Sequence, residues 1–407
     1  MNRSPLLVIF VTVFIDLVGF GIVIPVLPYY LENPKFNASP VALGLLFASY
    51  SVMQLIFSPV LGRLSDRYGR RPVLLLSLVG TAIGFFVMGA ATTLWMLFAG
   101  RILDGITGGN ISTAQAYIAD VTTPENRAKG MGMFGAAFGL GFIFGPAIGG
   151  ILGDWDISAP FYFAAALAVA NAVLLYFTLP ETVTPGHPAR TVRRGWGYFF
   201  GQLKQRRLAL VLAIYFLFVV AFSIMTTTFA LYTMYRFGFD ARHNGYLFAY
   251  IGLLAVIVQG VLIGRLVKRF GELPLVVAGA LLLATSLIIL PYVGPTPQWA
   301  GGVAGLLLIM TCFSVGNSFA TPTLTSIASK SVGAAEQGGV MGVTQSAASL
   351  ARAVGPPVGG FLIYSASAPR GVDDHTLRVT FWTASAIMFA ALALALYFAR
   401  ERAPELM

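Results

Sequence analysis

Twelve long apolar runs restrict how this chain can fold. A helix needs about 20 mostly apolar residues to cross a bilayer, because each residue adds about 1.5 Å and the hydrocarbon core is about 30 Å thick. Only 10% of the 407 residues are charged, whereas a soluble domain has roughly 25%. We predict an all-α integral membrane protein with twelve transmembrane helices. The runs lie at residues 6–30, 41–61, 72–92, 95–118, 130–152, 160–179, 209–234, 244–264, 273–292, 300–328, 338–365 and 377–399.

Three short motifs occur twice and in the same order along the chain. GRLSDRYGRRP from Gly62 recurs as GRLVKRFGE from Gly264, GPAIGG from Gly145 recurs as GPPVGG from Gly355, and Gly-Asn at 109–110 recurs at 316–317. Six runs separate the copies, so both halves have one orientation and form a parallel repeat. We predict two pseudo-symmetric six-helix bundles, residues 1–180 and 209–407. A linker at 181–208 joins them, and a substrate would bind between them.

The Lys and Arg residues favour one side of the predicted membrane. Nineteen of the 26 fall at the termini, in the linker and in the loops on that side, and five fall on the other side. By the positive-inside rule, we expect the termini and the linker to be cytoplasmic. We also expect a multi-pass protein of the plasma (inner) membrane. This distribution also accounts for the net charge of +10, so we expect membrane lipids rather than nucleic acid as partners, and a monomer. The first run is too long for a signal-peptide core and is predicted to be a retained span.

Four ionisable residues stand out away from the ends of the runs, since a charge costs about 2.5 to 3.5 kcal/mol at a helix centre. They are Asp16, Arg101, Asp104 and Arg352. Asp16 lies about 15 Å into the first run and Asp104 about 13 Å into the fourth, which places both near the bilayer midplane. Arg101 and Asp104, three residues apart, share a helix face and can pair. We predict proton coupling at Asp16, Arg101 and Asp104.

Each of these residues also has a structural alternative. Arg101 and Asp104 could form an ion pair with no further role, and Asp16 could be held permanently by Arg101 or by a polar helix. Arg352 could bind backbone carbonyls or Gln345, or it could meet an anionic group. Polar residues in the runs more often bond neighbouring helices than ligands. The candidates for the substrate cavity are Gln54, Asn110, Asn317, Gln345 and Arg352.

Two further groups are predicted to control movement rather than binding. The charged segment from Gly62 to Pro72 must lie in water, where Gly62 and Gly69 permit tight turns. Asp66 can accept hydrogen bonds from a helix amino terminus and pair with Arg70, for which Asp120 is a further partner. The second group, a close-packed hinge or seal in the fifth run, is Gly141, Gly145, Pro146, Gly149 and Gly150.

Over its whole length the chain resembles the major facilitator superfamily, and within it the 12-span drug:proton antiporters similar to bacterial tetracycline efflux proteins. The resemblance lies in IDLVGFGIVIPVLPYYL, GRLSDRYGRRPVLLLSLVG, GRILDGITGGN and GLGFIFGPAIGG. It implies alternating access, a cytoplasmic charge relay of Asp66, Arg70 and Asp120, and coupling through Asp16 and Arg101. The chain departs from those pumps in two places, because Gly84 replaces the acid of their third span and the ninth span has no acid. Asp104 is an addition.

We therefore expect proton-coupled efflux of lipophilic or amphiphilic small molecules, with protons as the coupling ion and no cofactor or metal. The alternative is a proton-coupled carrier or flippase of an anionic metabolite or lipid that uses Arg101 and Arg352. A non-transporting membrane sensor or scaffold is a remote third hypothesis. An enzyme is not expected, because His187, His243 and His375 fall in loops without a nucleophile or metal ligand nearby.

Overall fold

The computed structural model describes residues 5–36, 38–108, 110–122, 127–182, 201, 205–295, 300–332, 337–368 and 371–402. The described chain is almost entirely helical. Its helices are α1 Pro5–Leu31, α2 Pro40–Tyr68, α3 Arg70–Gly89, α4 Leu94–Thr107, α5 Asn110–Val121, α6 Arg127–Trp155, α7 Ala159–Thr178, α8 Arg206–Phe237, α9 Ala241–Ile257, α10 Ile263–Phe270, α11 Glu272–Ile289, α12 Gly302–Lys330, α13 Gln337–Ile363 and α14 Asp374–Arg402. A π-helical turn, Val258–Leu262, joins α9 to α10. Two two-residue strands, β1 Val293–Gly294 and β2 Ala300–Gly301, pair before α12.

Every predicted span coincides with helix, which confirms the all-α membrane fold. Among the described residues, ten segments are long and apolar enough to cross a membrane. The other two predicted spans are the fourth, which consists of the short helices α4 and α5, and the eleventh, which is the 27-residue α13. The end of α4 at Thr107 was not predicted, although the Gly108-Gly109 pair in the sequence is a recognisable signal for it.

The charged turn is shorter than its sequence suggests. At 29 residues, α2 is about 43 Å long, so its charged last turns extend past a hydrocarbon core of about 30 Å. The predicted turn at Gly62 is wrong, because Gly62 lies within α2. Gly69 alone separates α2 from α3, at a φ of 107° that favours glycine. Its counterpart in the sequence repeat, Gly271, separates α10 from α11 at a φ of 82°.

The chain divides into two compact units. Unit 1 comprises Met1–Ala38, Ser49–Val192 and Asp240–Gly252, and unit 2 comprises Ser39–Ala48, Arg193–Phe239 and Leu253–Met407. The boundaries of the two predicted bundles, 1–180 and 209–407, therefore stay a prediction. Most of the predicted linker, residues 183–200 and 202–204, lies outside the described residues.

In unit 1, the predicted hinge glycines bring α6 against α1. A Cβ at Gly145 would lie 2.7 Å from the Val18 carbonyl oxygen, and one at Gly149 would lie 2.6 Å from that of Ile22. A Cβ at Gly141 would likewise lie 2.6 Å from the Leu17 side chain. Larger residues would push the helices apart, so this motif permits the close approach of α6 to α1, the helix that carries Asp16.

The second copy of the motif makes the equivalent contact in unit 2. A Cβ at Gly355 of α13 would lie 2.7 Å from Cβ of Ser223 and 2.9 Å from the Val220 carbonyl oxygen, both in α8. A Cβ at Gly359 would lie 3.1 Å from the Thr228 side chain one turn further along α8. The sequence repeat is therefore a packing repeat, α6 on α1 and α13 on α8.

Candidate functional site

Arg101 and Asp104 form the ion pair expected from their spacing. Their side chains project from α4, with Arg101 Nη1 3.4 Å from Asp104 Oδ2. Both are buried, at 1% and 4% exposure. Thr81 of α3 donates to Asp104 Oδ1 at 3.1 Å, and Arg101 Cζ lies 4.6 Å from the ring centroid of Tyr50 in α2. The pair is therefore fixed by α2 and α3 as well as by its own helix.

Asp16 lies beside this pair but is not part of it. The side chain of Asn110 and the carboxylate of Asp104 are both near enough to interact with it electrostatically. Among the described residues Asp16 forms no ion pair, so the alternative in which Arg101 holds it is not the arrangement observed. As a residue Asp16 is partly exposed, unlike Asp104. A carboxyl near a second one can exchange a proton, since protonating one of them relieves their repulsion.

Asn110, which lies near Asp16, follows the end of α4 closely in the chain. Asn110 is the first residue of α5, and its Oδ1 accepts from the backbone amide of Ile111 at 2.7 Å. The carbonyl oxygen of Gly108, which follows the end of α4, accepts from Gln54 Nε2 at 3.1 Å. The same nitrogen lies 3.0 Å from the Tyr50 hydroxyl, and Gln54 is buried. Gln54, a candidate for the cavity, thus stabilises the end of α4.

Gly84 explains why the third span has no carboxylate here. A Cβ at Gly84 would lie 2.9 Å from the Gly100 carbonyl oxygen and 3.2 Å from Cβ of Asp104. This close contact between α3 and α4 leaves no room for a side chain at 84. The acid next to Arg101 comes instead from α4, as Asp104.

The polar candidates of unit 2 form a separate and looser group. Arg352 in α13 is partly exposed, donates from Nη2 to Ser349 Oγ at 3.3 Å and interacts electrostatically with Tyr215 of α8. The suggested bond from Arg352 to Gln345 is absent; Gln345 is partly exposed and has no hydrogen bond to any described residue. Asn317 of α12 accepts from Thr321 in its own helix at 3.0 Å.

At the other end of unit 1, Arg70 joins α2, α3 and α5. Its Nη1 lies 2.6 Å from Asp66 Oδ1 and its Nε 2.9 Å from Asp120 Oδ2. Nη1 also donates to Ser65 Oγ at 2.7 Å. These four residues, called the Arg70 cluster below, include the three residues that the resemblance assigns to a charge relay.

The amino terminus of α3 is capped by a residue that the sequence did not indicate. Glu181 Oε1 accepts from the amide of Arg70 at 2.9 Å, and Oε2 accepts from that of Arg71 at 3.1 Å. The expectation that Asp66 would cap a helix is not met at α3, because its carboxylate is paired with the Arg70 side chain. A carboxylate at a helix amino terminus is favourable, so Glu181 ties the segment after α7 to the turn at Gly69.

Unit 2 contains a similar link with the charges reversed. Glu272, which follows Gly271 as Arg70 follows Gly69, begins α11 and accepts from Lys330 Nζ at 2.7 Å. Lys330 ends α12, just as Asp120 lies near the end of α5. A Ser326 hydroxyl of α12 also donates to Glu272. Both copies of the repeat therefore have an ion pair between two helix ends, and the positions of the acid and the base are exchanged in the second copy.

The family model of the Major Facilitator Superfamily matches residues 9–356. The chain belongs to this superfamily. It is similar to a tetracycline resistance protein, class H, of Pasteurella multocida, with 33% identity over 99% of this chain and 98% of that protein. It is also similar to multidrug resistance protein 2 of Bacillus subtilis (strain 168), with 28% identity over 98% and 96% of the two chains.

Among solved structures, the human organic anion transporter MFSD10 is similar, with 26% identity, a TM-score of 0.72 and coverage of 97% of this chain and 99% of that one. As a member of the superfamily, this multi-pass membrane protein is a transporter and not an enzyme. Among the described residues, no group of three or more His, Cys, Asp or Glu side chains is arranged to hold a metal ion.

Proposed function

We propose that this transporter exports lipophilic or amphiphilic small molecules in exchange for protons, by alternating access. The observation that carries the proposal is Asp16, a partly exposed acidic residue on a membrane-spanning helix beside the buried Arg101–Asp104 pair. The similarity to a tetracycline resistance protein and to a multidrug resistance protein supports efflux as the direction. The Lys and Arg distribution supports cytoplasmic termini in the plasma (inner) membrane.

In this proposal, Asp16 carries the proton and Arg101 with Asp104 sets the electrostatic field around it. The amide of Asn110, which lies near Asp16, is able to donate to a charged carboxylate and to accept from a protonated carboxyl, so it suits either form of Asp16. Arg101 is held by Asp104 and Tyr50 and does not need to move when Asp16 changes charge. The substrate would then compete with the proton for the accessible side of Asp16.

The test is transport by purified protein in proteoliposomes with a pH gradient. We expect a fluorescent lipophilic amine to accumulate against its own gradient in vesicles that are acidic inside, and a protonophore to remove this accumulation. Empty liposomes under the same gradient measure passive trapping of the amine. Accumulation equal to that control, or accumulation that survives the protonophore, would contradict proton-coupled efflux.

The Arg70 cluster is proposed to control access from the cytoplasm, not to bind substrate. Asp66→Asn removes one of the two carboxylates on Arg70, a loss of about 1 kcal/mol for a partly exposed pair, so we expect turnover to fall about fivefold. Substrate affinity, measured by fluorescence titration, should change little. The matched control is Asp154→Asn, which removes an exposed ion pair with Arg242 in the same unit. Lost affinity with normal turnover would contradict this role.

A second candidate, transport of organic anions, is favoured by the surroundings of Arg352. The Arg352 guanidinium, the Ser349 hydroxyl and the nearby Tyr215 hydroxyl can all donate to an anion. The similarity to a human organic anion transporter supports the same class of substrate.

We expect Arg352→Gln to lower the affinity for an organic anion at least tenfold, since a hydrogen bond to a charged group contributes about 1.5 to 3 kcal/mol. Binding of a neutral or cationic lipophile should be unchanged. Arg378→Gln, at the first turn of α14, is the control arginine in the same unit. Equal losses for anions and cations would indicate a folding defect and remove the case for an anion contact.

A further inference from the structure

An apolar groove lies on unit 1 between the neighbouring helices α3 and α7. The groove has a volume of about 360 Å³, which is within the range of volumes of pockets that hold organic ligands. It is lined by Val79, Ala82, Ile83, Val169, Ala172, Val173, Tyr176 and Phe177. Val79, Ile83, Val169, Val173 and Tyr176 are each about half exposed. Because α3 and α7 are both long enough to span the membrane, this groove opens toward the hydrocarbon of the bilayer.

The groove has a direction along the membrane normal. Val79 and Ile83 lie about 13 to 20 Å from the start of α3, and Val169 lies about 13 Å from the end of α7. Tyr176 and Phe177 lie in the last turn of α7, at the membrane surface. The groove therefore covers much of one leaflet, which is about 15 Å of hydrocarbon. Its dimensions match one acyl chain that runs from the surface toward the midplane.

A positively charged side chain, that of Arg71, lies at the surface end of the groove. Arg71, the second residue of α3, donates from Nη2 to the Tyr176 carbonyl oxygen, and its Cζ lies 5.1 Å from the Tyr176 ring centroid. These two contacts fix the guanidinium over the last turn of α7. Among the described residues, no carboxylate pairs with this side chain, and its Nε is buried without a hydrogen-bond partner.

The acids nearby are already used elsewhere. Glu181 accepts from the backbone amides of Arg70 and Arg71, and Asp66 and Asp120 both bind the Arg70 side chain. Arg67, in the last turn of α2, adds another positive charge to the segment that precedes Arg71 and lies over the Tyr68 ring. A fixed guanidinium that is paired with no carboxylate of the described residues thus lies where a lipid phosphate would lie if an acyl chain filled the groove.

We propose that this groove binds one anionic glycerophospholipid, with an acyl chain between α3 and α7 and the phosphate on Arg71. On the orientation proposed above, this lipid comes from the cytoplasmic leaflet. The binding itself does not depend on proton coupling or on efflux. Because Arg71 directly follows Arg70, the lipid would also contact the segment that carries the Arg70 cluster.

The experiment compares lipids with identical chains and different headgroups. Purified full-length protein, stripped of lipid in detergent, is titrated with dioleoyl phosphatidylglycerol and with dioleoyl phosphatidylcholine, and bound lipid is counted by native mass spectrometry. We expect about fivefold tighter binding of phosphatidylglycerol, from the roughly 1 kcal/mol that one basic residue contributes near an anionic lipid. Arg71→Gln should lose this preference and Arg71→Lys should retain most of it.

Three further arms separate the headgroup contact from non-specific attraction between the lipid and the protein surface. Arg63→Gln, which removes an exposed arginine from the last turns of α2, should leave the preference unchanged. Val173→Trp, which fills the groove at a half-exposed position, should weaken the binding of both lipids. Inorganic phosphate at millimolar concentration should not displace the lipid. The thermal unfolding temperature of each variant checks that it is folded.

Three results would overturn the proposal. If Arg71→Gln kept the preference for phosphatidylglycerol, the phosphate would not lie on Arg71. If both lipids bound equally well to the wild type, the groove would be a non-selective acyl site. If phosphate alone competed, the site would bind free anions and not a lipid.

Discussion

Asp16→Asn should eliminate proton-driven accumulation of substrate while leaving downhill exchange of substrate intact. Asparagine has nearly the same shape as the aspartate and is able to interact with the nearby Asn110 side chain, so α1 and its packing on α6 should not change. It cannot release a proton. A gradient of one pH unit supplies about 1.4 kcal/mol per proton exchanged, which is about a tenfold substrate concentration ratio. The variant should not build up this concentration ratio when the pH gradient is applied.

The measurement uses two assays on the same proteoliposomes. Accumulation driven by a pH gradient reports coupling, and exchange of labelled for unlabelled substrate without a gradient reports binding and the conformational cycle. The matched control is Asp156→Asn, which replaces an exposed aspartate directly after the end of α6 and should retain both activities. Full accumulation in Asp16→Asn would move the proton site elsewhere, with Asp104 as the next candidate.

Hydropathy and the internal repeat were sufficient to predict the helices, because a bilayer requires about 20 apolar residues for each crossing. Hydropathy could not show that α2 continues to Tyr68, since a polar helix tail in water has the composition of a loop. Arg70 with Asp66 was predictable from their spacing of four residues. Glu181 was not, because the amides that it binds are 110 and 111 residues away in sequence.

The candidate proton site was likewise predictable from the sequence only in part. Arg101 and Asp104 share a helix, so their pairing follows from sequence alone. The proximity of Asp16 and Asn110 depends on how α1 packs against α6 and on where α4 ends, and both are tertiary features. Gly84 looked like a missing acid in sequence. In the structure it is the contact that lets α3 approach α4 beside Asp104.

Arg101→Met should be the most destabilising single change in unit 1. Methionine keeps much of the volume of arginine but leaves Asp104 buried without a cation, and breaking a buried pair in this way costs about 3 to 5 kcal/mol. The contact with the Tyr50 ring is lost as well. The expected result is a large drop in the thermal unfolding temperature of the detergent-solubilised protein. Arg63→Met, at an exposed position on α2, should have little effect.

The double variant Arg101→Met/Asp104→Leu distinguishes a structural pair from a functional one. Replacing both charges with apolar groups removes the unpaired carboxylate, so stability should recover most of the way to that of the wild type. If pH-driven accumulation also recovered, the pair would be structural and Asp16 would couple protons without it. We expect the double variant to be folded and to exchange substrate but to accumulate less than the wild type, because Asp16 has lost the charges that surround it. A double variant as unstable as Arg101→Met would show that the pair stabilises the fold by more than mutual compensation.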